Sequence, residues 1–408
     1  MEWIKSITRR EDRLLFISVA LISASVLMLE IGMIRIFSVM FESHYAFLLI
    51  SMAVLGLGFG GVFVHKRSQK TIGTYGLDRL LPISSALMGS SILIMTVLII
   101  KFSVFRHILL SAILVLIPFC FAGIFLSTVF RLYPKSSGSL YAADLIGAAT
   151  GAVLTIVMLE AGGVRLNLVI SVLAGIPAVL LLARAVLDKF CKRVLGLVVA
   201  GFIASIILGS SSTILEPIPF ADGAFKEMAH LLNHEEADSE IVDSRWSSFG
   251  RPDLVLNKNH PDEMGLFVDG TAGTAMYRFN GDPESLNVSQ FSDFSGYFPF
   301  KLMPDQEKEK VLIIGAGGGR EVLISILGGA KDITAIEANP DLVDIMKKHS
   351  DFNGGIYNNY PGVRVLAEEG RKFVRSTTEK FDVIMLSIPV TKTSRSLEGY
   401  ALTENFLF

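Results

Sequence analysis

Residues able to do chemistry gather in the last hundred positions of the chain. Three glycines, Gly315, Gly317 and Gly319, follow the apolar run Val311-Leu-Ile-Ile314 and precede a helix-like stretch, Arg320–Leu327. A glycine-rich turn between strand and helix lets backbone approach a ligand, and the helix N-terminus behind it favours negative charge. Glu337 ends the next strand-like run, 22 residues after Gly315, where a carboxylate can accept from both hydroxyls of a ribose. Glu369, followed by Gly370, comes after the third run and is placed to accept from an adenine amino group. The spacing is GxGxG rather than the dinucleotide fingerprint GxGxxG, which needs glycine where Arg320 stands, so an NAD-linked oxidoreductase is disfavoured. Loop and carboxylates at successive strand ends point to an adenosyl ligand. The plainer alternative is a strand–helix turn whose glycines serve only close packing, with solvated carboxylates nearby.

The elements that must position these groups follow a strand–helix alternation, the mark of a parallel α/β sheet. Val311–Ile314, Asp332–Ile336, Val363–Leu366 and Phe381–Leu386 read as strands, and Asn339-Pro340 supplies an N-cap and a first-turn proline for a helix to about Lys348. Ahead of them, Glu240–Asp243, Asp253–Leu256, Gly265–Val268 and Ala275–Phe279 read as short strands. They are separated by the turn dipeptides Arg251-Pro252, Asp269-Gly270 and Asn280-Gly281, and predict a small antiparallel β unit. Thr391–Ser396, polar and basic beyond the fourth strand, is a candidate lid.

The other half of the chain is built for a different solvent. Over 408 residues 51% are hydrophobic and 19% charged, and the mean hydropathy is +0.52. Residues 1–210 carry 18 Lys+Arg against 9 Asp+Glu, whereas residues 211–408 carry 19 against 30. A basic, apolar half therefore precedes an acidic one, and that acidity argues against nucleic acid as a partner. Two cysteines, Cys120 and Cys191, exclude a disulfide framework and a four-cysteine metal site, and no His spacing suggests a metal.

Seven apolar segments stand at about 14–41, 44–64, 80–100, 107–130, 139–160, 164–186 and 194–209. Alternate flanks carry 14 Lys/Arg against 3, which places the N-terminus in the cytoplasm. Six segments reach the length needed to cross a bilayer, but 194–209 spans only about 24 Å. It is therefore expected to lie in the interface or re-enter, leaving residues 220–408 cytoplasmic; a seventh crossing and an extracytoplasmic domain is the alternative. Glu30, Arg35 and Asp144 are ionisable residues inside the spans. They mark either a small-molecule or proton site or, as the structural reading has it, an Arg35–Asp144 or Arg35–Glu30 pair. Gly56-x-Gly58-x-Gly60-Gly61 and Gly147-x-x-x-Gly151 suit close helix packing.

Residues 240–408 resemble the spermidine synthase-like (polyamine aminopropyltransferase) family, in its membrane-fused branch. The resemblance rests on Leu266-Phe-Val-Asp-Gly270, Val311–Gly319, Glu369-Gly370-Arg371 where the family has Asp-Gly-Arg, and Phe381-Asp-Val-Ile384. In the apolar half, Pro118–Gly123 and Leu140–Gly147 look like that branch's integral-membrane segment. The resemblance implies S-adenosylmethionine or its decarboxylated form as cofactor, bound by Gly315, Gly317, Gly319, Glu337, Glu369 and Gly370. It also implies Asp269 and Asp293 as acidic candidates on the acceptor side.

Departures are equally informative. The family's catalytic Asp falls at Ser387, a poor base that attracts no polyammonium. The acid of its Gly-Gly-Asp-Gly loop is lost in Gly317-Gly318-Gly319, and its Tyr-His/Gln-Glu motif aligns near Phe294-Ser-Gly296.

The expectation is an α-helical multi-span membrane domain (1–210), a linker (211–239), the β unit (240–305) and a Rossmann-like, class I S-adenosylmethionine-binding domain (306–408) cut short before its later strands. Its expected activity is a membrane-anchored transferase, methyl transfer ahead of aminopropyl transfer. The alternative is a transporter or sensor that only binds an adenosyl ligand. Expected partners are the lipid bilayer and a small-molecule acceptor such as an amine; a homo-oligomer is compatible with the sequence.

Overall fold

The computed structural model describes residues 10–41, 45–67, 79–182, 189–210, 215, 220, 226–233, 238–247, 249–286 and 288–387. The candidate lid Thr391–Ser396 lies outside them. The chain divides into two compact units, Met1–Ala224 and Phe225–Phe408.

The first unit contains helices α1 (Arg10–Met40), α2 (Ala46–His65), α3 (Leu81–Lys101), α4 (Ile108–Leu132), α5 (Ser137–Gly162), α6 (Leu166–Leu182) and α7 (Lys189–Ser210). Among the described residues these seven are long and apolar enough to cross a membrane. Large apolar side chains such as Leu109, Val153 and Ile206 are exposed on the outside, which suits a hydrocarbon solvent and would be costly in water.

Small residues set the helix contacts. A side chain at Gly147 would collide with the backbone of Ala20, and one at Gly151 would come within 2.6 Å of Ala24 O. On the other pair, Gly56 and Gly60 face Leu116 and Cys120. In both cases contact positions advance together, so α1 runs parallel to α5 and α2 parallel to α4. Ser85 Oγ donates to Ala174 O and Asn167 Nδ2 donates to Thr96 Oγ1, so α3 and α6 are antiparallel. These directions are those of helices that alternate through a layer.

Two expectations about this unit are corrected. Segment 194–209 is part of a 22-residue helix, α7, about 33 Å long. It begins at Lys189 because its basic first turn extends the helix ahead of the apolar run. Val194 and Val198 pack with Ala178 and Leu182 at one end of α6, and Gly209 lies against Leu168 at the other. The helix is therefore not short, and by length and composition it is able to cross a membrane. The Arg35–Asp144 pair is also absent. Asp144 accepts from Ser23 Oγ, and Arg35 lies twelve residues further along α1, about 18 Å away along the axis.

In the second unit α8 (Glu227–Asn233) falls inside the expected linker but belongs to the folded body. Lys226, 1% exposed, donates from Nζ to Asp269 O, and Met228 N donates to Gly270 O. Strands β1 (Ser239–Ser244), β2 (Pro252–Asn257), β3 (Glu263–Val268) and β4 (Thr271–Tyr277) form an antiparallel meander in that order. Short helices α9 (Val288–Ser292) and α10 (Phe298–Leu302) lead into β5 (Lys310–Ile314), α11 (Arg320–Leu327), β6 (Asp332–Glu337), α12 (Pro340–Lys348), α13 (Ser350–Asn353), β7 (Val363–Ala367), α14 (Gly370–Ser376) and β8 (Val383–Leu386). The second sheet is parallel, order β7-β6-β5-β8.

Leu254, Leu266 and Met276 of the meander share one buried cluster with Val311, Ile313, Val322 and Leu323 of the α/β part. The two sheets therefore fold as one body, and Asp243 fastens them by accepting from Lys348 Nζ at 2.8 Å and pairing with His349 Nε2 at 3.1 Å.

Candidate functional site

β5 is the second strand from one side of the parallel sheet, with β6 and β8 as neighbours. The turn that leaves it is squeezed between two other elements. Gly315 has φ 84°, and a side chain there would strike the carbonyl of Ser387. A side chain at Gly318 would strike the carbonyl of Ala275 on β4. Glycine is required at both points by backbone approach, at Gly315 by conformation as well.

Glu337, 8% exposed, closes the end of β6 onto this turn. Its Oε2 accepts from Gly317 N at 2.9 Å and its Oε1 from Asn339 N at 2.9 Å. The carbonyl of the same residue is held by Tyr357, whose Oη donates to Gly317 O at 2.7 Å. Burial pushes the Tyr357 phenol well above its ordinary value, and the Glu337 and Glu321 charges add to this. The hydroxyl is thus a permanent donor to the loop. Gly317 is gripped from both sides by groups 20 and 40 residues away.

Glu369 caps α14. Its oxygens accept from Arg371 N at 3.0 Å and Lys372 N at 2.7 Å, and those backbone bonds hold its carboxyl below the usual range. It is exposed, and a carboxylate engaged this way retains lone pairs for a further donor. Gly370 allows α14 to approach β5, since a side chain there would lie 2.6 Å from Ile314 Cγ2.

On the β8 side stands a cluster the sequence did not reveal. Ser387 N donates to Ile314 O at 2.9 Å, and its Oγ donates to Glu321 Oε1 at 3.2 Å. Glu321 is 5% exposed and is paired with Arg320, whose Nη2 and Nε reach the same oxygen at 2.9 and 3.3 Å. The Arg320 guanidinium lies over the Phe294 ring, 3.9 Å from its centroid. Tyr277 stands beside it, in an edge contact with Phe291 at 5.1 Å. Burial raises the Tyr277 phenol, and the nearby Arg320 charge works against that rise.

The structure therefore brings Gly315, Gly317, Gly319, Glu337, Glu369, Gly370 and Ser387 to one edge of the parallel sheet, where its strands end. It does not bring Asp269 there. That residue sits at φ 50° in the β3–β4 hairpin and accepts from Arg251 N at 2.8 Å, about 10 Å along the strand from the loop-facing Thr274. Asp293 is exposed one residue before Phe294, accepting from Ser292 Oγ at 3.4 Å. Glu30, Arg35 and Asp144 belong to helices of the other unit. Among the described residues no group of three or more His, Cys, Asp or Glu could hold a metal ion. Glu321 carried one signal in sequence, an acid in the first turn of a helix otherwise buried through Ile326; Tyr357, in a run of turns, carried none.

Comparison with known proteins agrees with this geometry. Residues 298–399 match the family model of the spermine/spermidine synthase domain. The polyamine aminopropyltransferase of Sulfurisphaera tokodaii is 33% identical over 139 residues, 33% of this chain and 45% of the relative. That of Serratia proteamaculans is 36% identical over 136 residues, 32% and 46% of the two chains. That of Korarchaeum cryptofilum is 35% identical over 91 residues, 21% and 27%. The chain spans about half the length, or less, of these relatives. A spermidine synthase-like domain thus follows a set of apolar helices long enough to span a membrane.

Proposed function

We propose that this chain is a membrane-anchored transferase acting on an adenosyl sulfonium compound, with methyl transfer ahead of aminopropyl transfer. The observation that carries the reading is the line of groups along the strand ends, Glu369 and Glu337 on one side of the glycine loop and Ser387 on the other. The residues fit such a ligand: Glu337 uses one lone pair of each oxygen on the protein and keeps the others for ribose hydroxyls. When bound, the sulfonium supplies an electrophilic carbon and a neutral thioether leaving group.

The protein's own part is to bind and orient. Glu337 and Tyr357 fix the loop against which the adenosyl group rests, while Phe294 and Tyr277 wall the side near Ser387 and exclude water. Ser387 is a neutral hydroxyl already donating to Glu321, so it offers little to a polyammonium acceptor. Methyl transfer needs mainly an aligned nucleophile, and it survives this replacement better. Purified full-length protein in detergent is expected to bind methylthioadenosine in calorimetry. Turnover of putrescine with decarboxylated S-adenosylmethionine at ordinary enzyme rates would reverse the ranking of the two transfers.

A second reading is favoured by α7. With the N-terminus cytoplasmic and seven helices crossing, residues 226–387 face the other side of the membrane, away from the cytosolic supply of adenosyl sulfonium. A domain that binds an adenosyl ligand and reports to the helices fits that location better than a transferase. An alkaline phosphatase fusion after Pro219, active only outside the cytoplasm, separates the two: a strong signal selects the binding domain, and its absence selects the transferase.

A further inference from the structure

The spatial order of the strands gives the site a direction. Glu369 and Glu337 follow β7 and β6, the loop follows β5, and Ser387 follows β8 at the far side. An adenosyl ligand whose ribose and adenine face the two carboxylates therefore turns its sulfonium, and the chain beyond it, toward β8. What waits there is a cation. Arg320 directly follows the last loop glycine and is held in place on three sides, by Phe294 below, Glu321 behind and Tyr277 beside it.

The charge that this end presents is set by exposure. The Glu321 side chain is 6% exposed, with one oxygen already taken by Arg320 and Ser387, while the Arg320 side chain is 34% exposed. Of the five guanidinium donors, Glu321 takes two, from Nε and Nη2, the Tyr277 hydroxyl lies within hydrogen-bond reach of the group, and the others are left for a further acceptor. A guanidinium pinned by stacking and by a buried carboxylate loses little entropy on binding and presents a fork suited to a carboxylate. A bare ammonium brought to the same place meets like charge, and the Glu321 carboxylate is already paired with Arg320.

We propose that Arg320 binds the carboxylate at the amino-acid end of the adenosyl ligand, so that the site takes S-adenosylmethionine and discriminates against its decarboxylated form. The inference rests on the adenosyl reading given above and adds to it the identity of the ligand's far end. It also separates this chain from an aminopropyltransferase chemistry by a positive feature, a placed cation, rather than by a missing acid.

The test needs no acceptor. Full-length protein in detergent is titrated calorimetrically with S-adenosylmethionine, decarboxylated S-adenosylmethionine and methylthioadenosine, which lacks both the carboxylate and the ammonium. The wild type is expected to bind S-adenosylmethionine about tenfold or more tighter than the decarboxylated form. Arg320→Gln is expected to abolish that preference while changing methylthioadenosine affinity less than about threefold, and Arg320→Lys to restore part of it. Equal or tighter binding of the decarboxylated form by the wild type overturns the proposal without any variant, as does a preference that persists in Arg320→Gln. Failure of methylthioadenosine to bind the wild type would instead remove the adenosyl reading itself.

Discussion

The two ends of the strand-end line are built differently. At the β7–β6 end, proposed for adenosine, Glu337 and Glu369 sit where a strand turns into a helix, and backbone N–H groups of those turns fix both carboxylates. At the β8 end, proposed for the transfer, Phe294, the Arg320–Glu321 pair and Ser387 arrive from three separated stretches of chain and hold one another by side-chain contacts. An end fixed by local backbone geometry can persist while an end fixed by side chains is rebuilt. That asymmetry agrees with a chain that matches the spermine/spermidine synthase domain yet lacks the acids expected on its acceptor side.

The sharpest way to break the comparison is at Glu337. Glu337→Ala removes two charge-assisted bonds to backbone N–H groups and, with them, the acceptor proposed for the ribose. A loss of about 3 kcal/mol, or about 100-fold in methylthioadenosine affinity, is expected by calorimetry. Unchanged affinity would show that the carboxylate has no part in binding. Tyr357→Phe is milder: it leaves the carbonyl of Gly317 without its buried donor, and about tenfold weaker binding is expected, with the thermal transition lowered. Ser387→Ala belongs to the other end, and methylthioadenosine affinity is expected to stay within about threefold. A larger drop would mean that the two ends are not independent.

The smallest effect is one of pH. Because the Glu369 carboxyl is held below its ordinary value by Arg371 N and Lys372 N, its contribution to stability is full above about pH 4.3 and is lost as pH falls through the lower native value. Urea unfolding from pH 6 to pH 3 is expected to show this dependence, and Glu369→Gln to flatten it. An identical slope in the variant would place the titration elsewhere.

The same asymmetry governs what the sequence made legible. Strand ends, glycine turn and helix caps are local, so Glu337, Glu369 and Asn339 stand where their spacing puts them, the last accepting from Asp341 N at 3.0 Å. The four strands of the meander were legible by alternation and turns, though β4 begins at Thr271 rather than Ala275 because the Asp269-Gly270 hairpin pairs Thr271 with Val268. The Phe294–Arg320–Glu321–Ser387 cluster is not legible, since no spacing brings together side chains from three separated stretches of chain. In the apolar unit the small-residue contacts of Gly147 and Gly151 follow from their four-residue spacing. Helix α7 exceeds its apolar run because the helix starts from the basic turn that precedes it.

The most direct test of the account is whether the adenosine end binds. Calorimetric titration of the full-length protein with methylthioadenosine, alongside Glu337→Ala, measures it without reference to acceptor, transferred group or membrane side. The account predicts saturable one-site binding by the wild type that falls about 100-fold in the variant. Heat of dilution alone for both proteins up to millimolar ligand would contradict it.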